Sequence, residues 1–377
     1  MSIANRKIRV LVVDDSAMVR KMITDALSKD PQIEVVGAAP DPYVARDMIV
    51  ELEPDVLTLD IEMPRMDGLT FLKILQKHKP MPVVVISSIS QAGSAAALEA
   101  INSGAVEVLA KPTSAFSIGS LADQLPRCIK AAAVARLRAP GVSASAPVIG
   151  SSTGAVAQPR VAAAVAASKW NPKQLIAIGA STGGIEALTE VLTHLPGGLP
   201  GICITQHMPA HFSKMFAERV NAMCAFEVRE AAEGDMLVPG LCLLAPGDYH
   251  MTLKFVGAGY RVELNQKPPV HHCRPAVDVM FRSISECAGA KVVSAILTGM
   301  GVDGALGMKL LKGIGARTIA QNEETCVVYG MPRAAVEMGC VDKILPLNKI
   351  AGAIVEGVQA QLASGAASVS SLSKPTP

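Results

Sequence analysis

The sequence predicts an α/β protein of two domains, each built on a mainly parallel sheet. Short apolar runs alternate with amphipathic helical stretches twice over, from Ile8 to Leu109 and again from Leu175 onward. Such alternation produces parallel sheets covered on both faces. Between the two series, from about Ala131 to Ser168, the composition shifts to Ala, Pro, Ser, Val and Gly, with no period long enough to build a core. The 377 residues are enough for two or three domains, each burying its own core.

In the first series Ile8 to Val13 reads as a strand and Met18 to Leu27 as a helix. A second strand spans Ile33 to Ala38, with a helix over Tyr43 to Leu52. A third strand, Val56 to Leu59, is followed by a helix from about Leu69 to Gln76. The fourth strand is Val83 to Ile86, then a helix over Ala95 to Asn102, and Val106 to Leu109 is the fifth strand. Ligands of such sheets sit beyond the carboxyl ends of the strands. Asp14 and Asp15 stand at the first of those ends, Asp60 at the third, Ser87 at the fourth and Lys111 at the fifth. Three carboxylates on one crevice repel unless a hard cation lies between them, and Mg²⁺ suits a few carboxylates with water and phosphate oxygens. Taken singly, Asp14 and Asp15 could be helix N-caps and Lys111 a surface charge. Five suitable residues at such strand ends favour a phosphoryl site instead.

The motifs Val12-Val13-Asp14-Asp15-Ser16, Leu59-Asp60-Ile61-Glu62-Met63-Pro64 with Met66-Asp67-Gly68, Ile86-Ser87-Ser88 and Ala110-Lys111-Pro112 resemble a response-regulator receiver domain over about residues 6–125. The resemblance implies a flavodoxin-like fold with five parallel strands. It implies that Asp60 accepts a phosphoryl group from a histidine kinase. Asp14 and Asp15, with Asp60, would hold Mg²⁺, Lys111 would contact phosphoryl oxygens, and Ser87 would be the switch hydroxyl. An aspartyl carboxylate can carry a phosphoryl group when a metal offsets the charge.

The second series places strands at Leu175 to Ala180, Gly201 to Gln206, Leu241 to Ala245, Tyr260 to Leu264, Val292 to Thr298 and Arg317 to Ala320. Helices are expected at Ile185 to Leu195, Ala210 to Asn221, Val277 to Cys287, Gly304 to Lys312 and Pro332 to Met338. Turn chemistry at Pro246-Gly247-Asp248 and Val256-Gly257-Ala258-Gly259 predicts an antiparallel hairpin within Leu241 to Leu264. The first strand ends in Gly179-Ala180-Ser181-Thr182-Gly183-Gly184. A serine between glycines on a strand–turn–helix fits a nucleophile elbow, and equally a glycine-rich phosphate or dinucleotide turn.

His207 follows the second of these strands and Asp303 follows the Val292 strand, so both share a sheet rim with Ser181. A base within reach of the hydroxyl, oriented by a carboxylate, activates serine. The glycines around Met300 would let backbone N–H groups approach a carbonyl oxygen. Against a metal pair at His207-x-x-x-His211 stands Pro209 between them, with no glutamate after His207. His271-His272-Cys273 is ligand-like in composition, but neighbours in an extended segment face opposite ways. Asp303-Gly304 could be a turn or N-cap. A dinucleotide site is weakened by Gln206-His207, where an acidic ribose ligand belongs. The order Ser, His, Asp also departs from that of α/β-hydrolases.

The blocks Gly179 to Gly184, Gln206-His207-Met208-Pro209, Ala245-Pro246-Gly247, Arg274-Pro275-Ala276-Val277-Asp278 and Thr298 to Gly304 resemble the catalytic domain of the CheB chemotaxis methylesterase family, over about Gln174 to Leu347. The resemblance implies a doubly wound, mainly parallel α/β domain that hydrolyses glutamate γ-methyl esters of chemoreceptors and deamidates glutamines. It implies Ser181 as nucleophile, His207 as general base, Asp303 as orienting carboxylate, an oxyanion hole of Thr182 and Met300 N–H groups, and Arg274 as a substrate-binding residue. No cofactor is implied for the esterase site. The expected layout is a receiver at 1–127, a linker at 128–170, a catalytic domain at 171–362 and a disordered tail at 363–377.

Bulk properties narrow the alternatives. The net charge is +2 with few aromatic residues, and no basic helix-turn-helix is apparent, which disfavours a DNA-binding regulator. A non-catalytic scaffold is disfavoured by the complete triad alone. The polar start, Met1 to Arg9, reads as neither signal peptide nor anchor, and no apolar run reaches spanning length. Eight scattered cysteines without a Cys-x-x-Cys pair read as reduced thiols of a cytoplasmic protein.

Overall fold

The computed structural model describes residues 6–88, 91–111, 115–137, 170–210, 212–289 and 291–370. The first unit runs β1 (Ile8–Val13), α1 (Ala17–Leu27), β2 (Ile33–Ala39), α2 (Pro42–Leu52), β3 (Val56–Asp60), α3 (Gly68–His78), β4 (Val83–Ser87), α4 (Gln91–Asn102), β5 (Glu107–Ala110) and α5 (Ala115–Ala133). Its strands are all parallel, in the order β2-β1-β3-β4-β5. β3 and β4 are buried along their whole length, as central strands covered on both faces must be. The chain leaves β1 in both directions, so the crevice beyond β1 and β3 is the switch point where ligands of open α/β sheets bind.

The second unit runs β6 (Leu175–Ala180), α6 (Gly184–Thr193), β7 (Gly201–Gln206), α7 (Phe212–Asn221), β8 (Glu227–Glu230), β9 (Met236–Leu237), β10 (Leu241–Leu244), β11 (His250–Phe255), β12 (Tyr260–Asn265), α8 (Val277–Cys287), β13 (Val292–Ile296), α9 (Ala305–Gly313), β14 (Arg317–Gln321), α10 (Met331–Glu337), β15 (Lys343–Leu345) and α11 (Leu347–Ser370). Its parallel sheet has the order β15-β14-β13-β6-β7-β10-β8, with a small antiparallel sheet β11-β12-β9 beside it. Two doubly wound sheets with an antiparallel excursion are what the sequence predicts. The switch point here lies beyond β6 and β13.

The hairpin expected within Leu241 to Leu264 is present, while two helices extend further than expected. The hairpin is β11–β12, paired from His250–Asn265 to Phe255–Tyr260. β10 is not part of it: Leu-Cys-Leu-Leu is buried at every position and pairs in parallel with β7 and β8, as an unbroken apolar run should. The helix α5 continues past the expected boundary at residue 127, because Leu121, Leu125, Ile129 and Ala132 form one buried stripe at helical spacing. Pro126 inside it masks that stripe in the sequence. Residues 138–169 of the expected linker lie outside the described residues. At the other end, the α11 backbone runs to Ser370 where disorder was expected from residue 363, consistent with the helix preference of its alanines. Residues 371–377 again lie outside.

The two units share an apolar interior: one buried cluster joins Leu72, Leu98 and Ile101 to Leu188, Phe212 and Phe216. Polar contacts span the same seam. Arg127 of α5 donates to the His271 carbonyl at 3.1 Å, and Arg136 donates to Glu323 O and Oε1, each at 2.8 Å. Between the units lies a cavity of about 380 Å³.

Candidate active site

The first crevice gathers the carboxylates. Asp14, Asp15 and Asp60 each offer a ligand atom within 4.8 Å of the others. Ser16, not either aspartate, caps α1, its Oγ accepting the Val19 N–H at 3.4 Å. Lys111 Nζ lies 2.9 Å from Asp14 Oδ2 and 2.6 Å from Asp60 Oδ2. Those two buried oxygens make no further hydrogen bond among the described residues. Burial pushes the Asp60 carboxyl up to about 6, against the lowering effect of Lys111. Burial lowers the Lys111 ammonium, but the two aspartates outweigh it and hold its pKa above the usual value. Ser87 ends β4, fully buried, and its carbonyl accepts the Lys111 N–H at 2.7 Å. Convergent, under-partnered carboxylate oxygens suit a divalent cation with oxygen preference.

The second crevice brings Ser181, His207 and Asp303 together. Ser181 stands directly after β6, and Gly183, with φ of 75°, makes the turn into α6. Gly299 lets the neighbouring loop approach: a Cβ there would lie 2.7 Å from Ser181 Cβ. His207 Nδ1 lies 3.0 Å from Ser181 Oγ, and His207 Nε2 lies 2.7 Å from Asp303 Oδ2. An ionised carboxylate only accepts, so Nε2 carries the proton and Nδ1 presents its lone pair to the serine. Asp303 also receives the α8 N-terminus, with the Val277 N–H on Oδ2 at 2.7 Å and the Asp278 N–H on Oδ1 at 2.9 Å. Burial raises the Asp303 carboxyl, but His207 and these amides outweigh it and hold it below the usual range. For His207, burial favours the neutral ring, while Cys273 and Asp303 favour the imidazolium and prevail. The N–H groups of buried Thr182 and of Met300 carry no backbone hydrogen bond among the described residues. Donors left unpaired in this way are what a developing oxyanion requires.

The other expected residues lie around these two crevices. Arg274 reaches the cavity wall, but its donors are engaged by Asp248 Oδ1 at 2.6 Å and by the carbonyls of Gln266 and Lys267. His211 lies outside the described residues. His271, His272 and Cys273 are not an extended segment with neighbours on opposite faces, because Val270 to Cys273 form a tight turn with φ of 51° at His271 and 62° at His272. His271 Nε2 meets Asp278 Oδ2 at 2.9 Å. His271, Asp278 and Asp303 come within 4.8 Å, yet each oxygen of the two carboxylates already accepts an N–H, so the group is a hydrogen-bond relay. Gln206 and Thr298 stand in the quoted motif blocks without an expected role: Gln206 Nε2 holds the Ser181 carbonyl at 2.9 Å, and Thr298 Oγ1 holds that of Thr182 at 2.9 Å, contacts that no local pattern signals. Nor does any pattern signal Glu107 of β5, whose Oε2 accepts the Thr182 hydroxyl at 2.7 Å.

A phosphoryl-type crevice joined to a Ser–His–Asp rim defines a response-regulator receiver coupled to a serine-hydrolase-type domain. Comparison with known proteins makes the family specific. Residues 10–121 match the response regulator receiver domain family, and residues 176–354 match the CheB methylesterase family. A "protein-glutamate methylesterase/protein-glutamine glutaminase 2" from Syntrophus aciditrophicus is 53% identical, covering 93% of this chain and 99% of that protein. A Pseudomonas aeruginosa protein of the same name is 47% identical, over 93% of this chain and 96% of its own length. Among solved structures, the Thermotoga maritima CheB methylesterase catalytic domain is 38% identical with a TM-score of 0.48, covering 48% of this chain and 97% of that one. The chain belongs to the CheB methylesterase family.

Proposed function

We propose that this chain is a phosphorylation-activated serine hydrolase that removes γ-methyl groups from chemoreceptor glutamates and deamidates receptor glutamines. The relatives' names give that pair of activities, and the observation that carries the assignment of residues is the hydrogen-bonded line from Ser181 through His207 to Asp303. Ser181 Oγ gives its proton to His207 Nδ1 as it bonds to the ester carbon. The carbonyl oxygen turns toward the N–H groups of Thr182 and Met300. The proton passes from His207 to the departing methanol, and water, activated by the same nitrogen, then releases the glutamate. An amide differs only in its leaving group, so the same residues serve glutamine.

In the first unit Asp60 is the phosphoryl acceptor, with a histidine kinase as donor. Asp14, Asp15 and Asp60 would hold Mg²⁺, which when bound offsets the charge gathered at the acceptor. Lys111 orients phosphoryl oxygens and Ser87 supplies the switch hydroxyl. The receiver extends through α5 and the catalytic unit begins near residue 170; none of the described helices is long and apolar enough to cross a membrane. The location proposed is the cytoplasm. Replacing Ser181 by Ala tests the assignment: methanol release from methylated receptor membranes should fall by about 10⁴-fold or more, with Asp60 phosphorylation intact. Retained hydrolysis contradicts it.

A further inference from the structure

Among the described residues of the first unit, Glu107 is the one carboxylate that lines the cavity beside Ser181, Thr182 and His207. It also lines the smaller pocket that Ser181 shares with Gln206. Its Oε2 accepts the hydroxyl of Thr182, the residue directly after the nucleophile and 4% exposed, at 2.7 Å. Among the described residues that hydroxyl has no other acceptor. The other oxygen, Oε1, makes only a long 3.4 Å contact with the Val108 N–H. Burial drives the Glu107 carboxyl up to about 7, against the opposing effects of Thr182 and His207. Covering the rim with an apolar side chain would avoid that cost, but it would strand the buried Thr182 hydroxyl without an acceptor.

The acceptor present is the side chain of a glutamate, the same group the proposed reaction releases. We propose that Glu107 occupies the subsite that receives the substrate glutamyl side chain, and that the Thr182 hydroxyl is the donor that selects its side-chain carbonyl. This rests on the function proposed above. Thr182 then acts twice, its N–H toward the oxyanion and its hydroxyl in recognising the substrate, and Glu107 is a built-in copy of the product that leaves when the receiver withdraws.

Binding tests this apart from hydrolysis. The probe is a receptor-derived peptide with glutamine at the modified position, titrated calorimetrically against full-length Ser181→Ala protein. Adding Glu107→Ala should tighten binding several-fold. Adding Thr182→Val to that double variant should weaken it by up to about tenfold, the worth of one hydrogen bond, and Thr182→Ser should restore it. Thermal unfolding of each variant checks that the fold persists. Unchanged affinity on Thr182→Val in the Glu107→Ala background overturns the proposal, since the hydroxyl would then serve only the seam. No tightening from Glu107→Ala overturns it equally. Failure of methanol release in the unsubstituted chain would instead count against the enzymatic assignment, and the binding comparison would still stand.

Discussion

In the mechanism proposed above, His207 is neutral at Nδ1 when it accepts the Ser181 proton, so whatever favours its imidazolium moves the onset of activity to higher pH. Burial works toward the neutral ring, but Cys273 and Asp303 outweigh it. The Cys273 thiol is correspondingly pushed up by burial and drawn down below its usual value by His207. Removing that thiol should therefore release the imidazole. In Cys273→Ser the rise of kcat/KM with pH should have its midpoint at lower pH than in the parent chain; an unchanged or higher midpoint shows that the thiol does not tune the base. The triad residues were legible because Ser181 and His207 directly follow apolar strands and Asp303 lies in the glycine-rich loop that leaves β13, places where polar residues have few structural reasons to sit. The turn that carries Cys273 was not legible, because two histidines with positive φ turn an apparently extended segment into a tight turn. The contacts of Gln206, Thr298 and Glu107 were not legible, since a polar side chain that binds a distant group looks like any other in sequence.

At the scale of elements, Asp303 belongs to two structures at once. It orients His207, and it caps the N-terminus of α8, where Ala276 offers no side-chain cap. Removing it should therefore cost stability as well as activity. Asp303→Ala is expected to lower unfolding free energy by about 1–2 kcal/mol, the typical value of a charged N-cap, while Ser181→Ala leaves it nearly unchanged. Chemical denaturation of both variants measures this, and equal stabilities would mean that α8 does not depend on the carboxylate. The elements themselves were mostly legible, because the alternation of apolar runs and helical stripes is strong. The exceptions have physical reasons. Pro126 interrupts the pattern of α5, and β8 and β15 are short edge strands whose charged residues do not read as strand.

For the whole molecule, the seam decides how much of the catalytic rim is open. Arg127 and Arg136 hold the loops of the second unit, and Glu107 lies against Thr182. The Glu107 carboxyl sits near 7 because the seam excludes water, so the closed arrangement binds its proton more tightly than an open one. The proton's support for closure is complete below the ordinary carboxylate value of about 4.5, is lost progressively as pH rises from there, and is gone above about 7. Proteolysis between the units should therefore speed up from pH 6 to pH 8 in the parent chain and change less in Glu107→Gln; equal pH responses would remove Glu107 from the control of closure. Receiver and catalytic unit could both be read from the sequence, but their relative placement could not, because no local pattern encodes which faces of two finished domains meet.

Activation by phosphorylation is then a shift of population toward the open arrangement. The most direct test is methanol release from methylated receptor membranes, with and without acetyl phosphate and Mg²⁺, in the parent chain and in Asp60→Ala. Release that rises with the phosphodonor only when Asp60 is present is the predicted result. Release that is absent in both proteins, or equal in all four conditions, would contradict a hydrolase governed by its receiver.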